Sequence, residues 1–226
     1  MKNVTSRFLI VFQEFRHLLR SPSSFYQEIA SLPAWSKHLI ITFFALAAVM
    51  LVPIGLSSIL PYNEMRTATA GARTYYLALD VDPTLVLFPA NLLLFPLNWL
   101  IYGVVWGGLR KWFIGLLGDP KPGFRDMLGM TLSAASPIMV TGAVIRTVNN
   151  LWQFRSMVPE SGFLYARLAC TVALFLIAFA LDGRNLISAA KAILGQTRGK
   201  AVLMWLFPPV VVIATGYVLL SLLAFC

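Results

Sequence analysis

The residues of this chain that could do chemistry sit inside long apolar runs. Asn91 and Asn98 lie seven positions apart in one run, so a helix puts both on roughly one face. Unpaired amides are costly in hydrocarbon, so both are expected to face protein or a water-filled cavity. They would then bond across helices, at ~0.6 kcal/mol each on average, or line a path for a polar solute or ion. A later run carries Thr131, Ser133, Ser136, Pro137, Thr141 and Gly142. Pro137 removes one backbone donor and frees the Ser133 carbonyl, which nearby hydroxyls can satisfy. A kink is expected there, either static or part of a moving element. Gly103 and Gly107, with Gly108 beside them, form a small-xxx-small pair that lets another helix come close. That helix belongs to the same chain or to a second copy. Arg167 lies five residues into a further run, ~7 Å below its start. It can snorkel to the interface, pair with Asp80 or Asp82, or touch a substrate. Asp182 ends the same run and reads as a hydrated boundary residue, paired with Arg184 or Lys191.

Catalysis is not expected. His17 and His38 lie in the N-terminal region and not within an apolar run, so a buried serine nucleophile would lack a histidine base. The apolar runs contain no Asp or Glu at all, so clustered metal ligands are missing too. No glycine-rich run precedes a Lys-Ser or Lys-Thr pair, so no phosphate-binding loop is present. Cys170 and Cys226 both sit in apolar runs and read as buried free thiols acting as small apolar residues. No cofactor or metal is implied.

The elements that must position these residues are membrane helices. Of the 226 residues, 58% are hydrophobic and 12% charged, against about 25% charged in soluble domains. The net charge of +9 comes from Lys and Arg in the gaps between apolar runs. Membrane proteins keep topology signals there, so a nucleic-acid partner is not expected. Residues 1–36 carry Phe8, Phe12, Phe15 and Leu19 at helical spacing among Arg7, Glu14, Arg16 and Arg20. This predicts an amphipathic helix, suited to anionic headgroups or to the protein's own cytoplasmic face. Ser21-Pro22 ends it, and Ser24 with Gln27 offers a capping box for a short second helix. The apolar run 8–12 is too short for a signal peptide.

Residues 37–226 are expected to form a membrane domain with spans at 39–60, 83–109, 127–145, 163–181 and 201–226. Each approximates the ~20 residues that cross ~30 Å of hydrocarbon. Pro53 sits inside the first and Pro61 ends it, with a polar loop over 61–82. Arg110 and Lys111 stop the second. Gly118-Asp119-Pro120 and Pro122-Gly123 make the turn into the third. Gly183 caps the fourth, and Asn185 opens a short helix stopped by Gly195. Pro208-Pro209 interrupts the fifth. Residues 1–38, 110–126 and 182–200 hold thirteen Lys or Arg, against four in 61–82 and 146–162. The positive-inside rule then puts the N-terminus in the cytoplasm and the C-terminus outside. The reading is an all-α, five-helix bundle with an N-terminal amphipathic helix.

This arrangement resembles the Yip-domain family, the Ypt/Rab-interacting integral membrane proteins. Ser21-Pro22-Ser23-Ser24-Phe25 is similar to the proline-plus-aromatic segment before the first span of bacterial members. The turn at Gly123-Phe124 leads into a span with a Ser-Pro step at Ser136-Pro137. A basic amphipathic segment, 183–200, separates the last two spans. The resemblance implies a five-span bundle whose third-span proline matches Pro137. Eukaryotic members are linked to vesicle trafficking and prenylated small GTPases. Their N-terminal extension with an Asp-Leu-Tyr-Gly type motif is absent here, so the chain looks more like the compact bacterial members of the plasma (inner) membrane. The function expected is a non-enzymatic scaffold that touches lipids and recruits a protein partner at its basic loops, as a monomer or homo-oligomer. The alternative is a small transport or channel component with a path along Asn91, Asn98 and the Pro137 kink.

Overall fold

A computed structural model describes residues 2–68, 83–119, 122–152 and 161–224, with side chains over 9–56, 94–119, 122–148, 166 and 168–217. Every element among the described residues is a helix. They are α1 (Lys2–Arg20), α2 (Pro22–Ala30), α3 (Trp35–Ala68), α4 (Pro83–Leu116), α5 (Phe124–Ala134), α6 (Ser136–Trp152), α7 (Ser161–Leu194) and α8 (Arg198–Ala224). Three stretches are long and apolar enough to cross a membrane: Trp35–Leu56, Leu168–Leu194 and Arg198–Tyr217. The pair α5 and α6, bent by 47° at Ala135, makes a fourth if it is one broken span. By length and composition this is a membrane protein.

α5 lies at the centre. It packs against α3, α4 and α7, and α6 continues its line against α3 and α7. Small residues set these approaches. A Cβ on Gly129 would lie 2.9 Å from the Ser36 carbonyl oxygen of α3, and one on Gly103 would lie 2.7 Å from Leu132 of α5. Gly107 passes the α5 backbone at Leu128. Gly103 and Gly107 thus face α5 of the same chain.

Several element ends differ from expectation, for one reason. In an apolar setting backbone N–H and C=O groups must pair internally, so helices persist through local breakers. α3 runs on through Pro53 and Pro61 to Ala68 and replaces the start of the expected loop. α4 continues six residues past Arg110 to Leu116, where Gly118 at φ +71° turns the chain. α7 is one helix of 34 residues and does not stop at Gly183. Gly183 sits inside it, where a Cβ would meet the Trp205 ring at 2.6 Å. Asn185 therefore caps nothing. The end comes at Gly195, φ +64°, with the Gln196 N–H donating to the Ala190 oxygen at 3.1 Å. α8 passes through Pro208 and Pro209 unbroken.

The short second helix forms, but Ser21 and not Ser24 precedes it, with Pro22 as its first residue. Ser24 Oγ donates to the Ser21 oxygen (3.0 Å) and pairs with His17 Nε2 (3.0 Å). Pro22, Phe25, Tyr26 and Ile29 are buried, on the stripe that packs α2 against α7. Phe25, Tyr26 and Ile29 join Leu18, Ile114, Met127 and Leu186 in one apolar cluster at the basic end of the bundle. α2 lies outside the candidate spans, so burying a ring such as Phe25 stabilises the fold by about 1.5–3 kcal/mol. A second cluster, with Phe43, Leu46, Phe95 and Met139, fills the apolar part. α1 divides its faces: Leu18 is buried, whereas Leu9, Ile10 and Phe12 are exposed. Contrary to expectation, Cys170 is exposed on α7, since a membrane helix is apolar on its outward face too.

Two polar contacts fasten the basic end. Arg184 of α7 donates to the Leu19 carbonyl of α1. Lys200 of α8 donates to both oxygens of Asp119, at 2.7 and 2.8 Å. The hydrogen bond from Lys200 holds the Asp119 carboxyl below the usual carboxylate range.

Candidate functional site

α4 buries a single narrow stripe: Phe95, Gly103, Gly107, Arg110 and Ile114. The spacing is helical, and Arg110 comes three residues after Gly107. Its side chain is therefore carried into the bundle and is 0% exposed. Asn98 lies nine residues before Gly107, about 180° around the helix. It is exposed, contrary to the expectation that it faces protein. The close approach at the glycines fixes which face of α4 points inward, and Asn98 is on the other. The side chains of Asn91 on α4 and Arg167 on α7 lie outside the described residues.

α7 buries Ala178, Asp182, Asn185, Leu186 and Ala189, again at helical spacing. Asp182 is 1% exposed and Asn185 0%. Asp182 is thus no hydrated boundary residue, and Arg184 points elsewhere, to Leu19. The boundary reading failed because α7 continues another three turns beneath α2. The Asp182 Oδ2 accepts a hydrogen bond from Trp205 Nε1 of α8 at 3.0 Å. Its charge partner is Arg110, which acts on it electrostatically without an ion pair within 4 Å. The apolar part of the chain therefore does hold an acid, contrary to the sequence expectation.

The hydroxyls come from α2, α4 and α5. Tyr26 of α2, fully buried, shares a 2.9 Å hydrogen bond with Ser133 Oγ of α5. Burial pushes the Tyr26 phenol above its ordinary range, so it stays neutral. Tyr26 and Tyr102 both lie within electrostatic reach of Asp182 and Arg110. Thr131, also 0% exposed, is on α5. Ser136 and Pro137 are buried at the 47° bend between α5 and α6.

Among the described residues, six buried atoms of this cluster have no hydrogen-bond partner of good geometry: Nε, Nη1 and Nη2 of Arg110, which the Tyr102 hydroxyl approaches at looser geometry, Oδ1 of Asp182 and both amide atoms of Asn185; Oγ1 of Thr131 on α5 has none either. Each unsatisfied buried polar atom costs about 1–3 kcal/mol. Their sum would rival the 5–15 kcal/mol that holds a typical domain together. The cluster is expensive, and intramembrane charged residues mark function by default.

Of the residues singled out in the sequence, the fold brings together Ser133 and Asp182. Gly103 and Gly107 help shape the surrounding contacts. Arg110, Asn185, Tyr26 and Trp205 were missed as members. The signal for two of them was present: Gly103-Gly107-Arg110-Ile114 and Ala178-Asp182-Asn185-Ala189 each repeat at three or four residues. Comparison with protein-family models, curated proteins and solved structures finds no match to this chain.

Proposed function

We propose that this chain is a non-enzymatic, Yip-domain-like integral membrane protein that recruits partners at its cytoplasmic face. In this reading it has five spans, an N-terminus inside and a C-terminus outside, and it resides in a bacterial plasma membrane. The observation that carries it is the built, basic end of the bundle. There α1 and α2 fold back onto α7 and α3, fastened by the Arg184–Leu19 contact. Arg16, Arg20, Lys37, Arg125, Lys191 and Arg198 are exposed on these elements and their neighbours. Such a surface suits an acidic partner and anionic lipid headgroups. The exposed Leu9, Ile10 and Phe12 of α1 suit the headgroup boundary.

The test is photo-crosslinking from positions 16, 125 and 191 in intact cells. A discrete protein adduct at these positions, lost when the neighbouring Arg20, Lys37 and Arg198 are changed to Glu, is expected. Crosslinks to lipid alone at all three would remove the recruiting role.

A second reading, a small transport component, is favoured by the buried Arg110–Asp182–Asn185 cluster. Its polar path would run through these residues, since Asn98 faces outward.

A further inference from the structure

We propose that this protein holds a file of internal water, reaching from the Glu14–Thr42 face through Ser133 to the Arg110–Asp182–Asn185 cluster. The inference holds under either functional reading. It begins with the partnerless buried atoms of the cluster and of Thr131, which include both donors and acceptors. The Arg110 guanidinium and the Asn185 amide nitrogen donate; Asp182 Oδ1 and Asn185 Oδ1 accept; Thr131 Oγ1 does either. The two charges are opposite and not in direct contact. An anion at Arg110 would meet the field of Asp182, and a cation at Asp182 would meet that of Arg110. Water is the ligand that serves donors and acceptors together at no net charge.

The second observation is a route. A cavity of about 20 Å³ is lined by Glu14, Thr42, Ser133 and Ser136 among apolar neighbours including Phe25 and Leu39. One water needs about 10–15 Å³ and two to four polar partners; this cavity offers both. At its outer side Thr42 Oγ1 donates to Glu14 Oε2 at 2.9 Å. His38 Nε2 lies 3.2 Å from Glu14 Oε1, and the His38 side chain is 36% exposed. At its inner side Ser133 both lines the cavity and bonds Tyr26 at 2.9 Å. Tyr26 in turn lies within electrostatic reach of Arg110 and Asp182. The hydroxyl pair Tyr26–Ser133 is thus the neck between a water-sized cavity near the surface and the buried cluster. The file keeps the Arg110 and Asp182 charges solvated inside an otherwise apolar bundle.

Two measurements on the full-length protein in detergent micelles test this. In hydroxyl-radical footprinting by X-ray radiolysis, radicals form from water at the site itself, so a buried side chain is modified only where water touches it. Tyr26 (0% exposed) should be modified several-fold faster than Met139 (0%), a radical-reactive side chain that packs among apolar residues and does not line the cavity. The second measurement is the melting temperature of Thr131→Val, which removes a hydroxyl at constant volume. Where water bonds that hydroxyl, its loss lowers the melting temperature, by about 2–4 °C. Where the hydroxyl is dry, its removal relieves an unpaired polar atom and the temperature rises. Fast Tyr26 modification together with a lower melting temperature supports the file. Tyr26 modification no faster than Met139, or a higher melting temperature for Thr131→Val, overturns it.

Discussion

Arg110→Met will destabilise the protein by about 3–5 kcal/mol, because it strands the Asp182 charge in the bundle. At about 2–4 °C per kcal/mol for a chain of this size, the thermal midpoint in detergent falls on the order of 10 °C. Among the described residues, Arg110 is the only charge that acts on Asp182, and Trp205 supplies one hydrogen bond to Oδ2. No other side chain among the described residues compensates the carboxylate. The double variant Arg110→Met with Asp182→Leu should recover most of the loss, since an apolar replacement of both charges removes the desolvation cost. Arg110→Lys keeps the charge but forfeits the planar fork of donors, so an intermediate midpoint is expected. If the double variant melts at the sum of the two single losses, Arg110 and Asp182 are independent and the cluster is not one unit.

Gly129→Val will separate α3 from α5. The space a Cβ would need is already taken by the backbone of Ser36, with its oxygen at 2.9 Å and Cα at 3.3 Å. Backbone cannot rotate away as a side-chain tip can, so the helices must move apart. Ala alone should cost about 1–3 kcal/mol, and the branched Val should fall at or beyond the upper end. The matched control is Gly142→Ala on α6, where nothing lies within 4 Å of the added carbon. That change should leave the thermal midpoint unchanged or raise it slightly, since Ala is the better helix former. Equal destabilisation by both would mean that α5 does not cross α3 at Ser36.

These two positions show what a sequence of this kind reveals. Apolar runs, turn glycines and the Ser-Pro step marked the membrane helices, the ends at Gly118 and Gly195, and the bend at Ala135. The glycine pair at 103 and 107 marked a close approach, and the fold supplies its partner in α5. The polar cluster is hidden in the sequence because charged residues next to an apolar run have the form of helix stops. Arg110 and Asp182 do interrupt the hydropathy, yet α4 and α7 continue past them. The reason is tertiary: α2 packs along the end of α7, and its Phe25, Tyr26 and Ile29 share one apolar cluster with Ile114 of α4. A hydropathy window sees only the run before the charge, not the helix that later lies across it. Asn98 failed in the opposite sense. It was placed inward for its polarity, whereas packing at Gly103 and Gly107 fixed the face.

The proposed function places the basic end of the bundle on the cytoplasmic side of the membrane. Cysteine labelling in intact cells tests it most directly, with Cys170 and Cys226 changed to Ser and single cysteines placed at the exposed positions Ser23 and Thr197. Both positions should resist a membrane-impermeant maleimide until the membrane is permeabilised, while the protein stays in the membrane fraction at alkaline pH. Labelling of either position in intact cells, or release of the protein by alkali, would contradict the account.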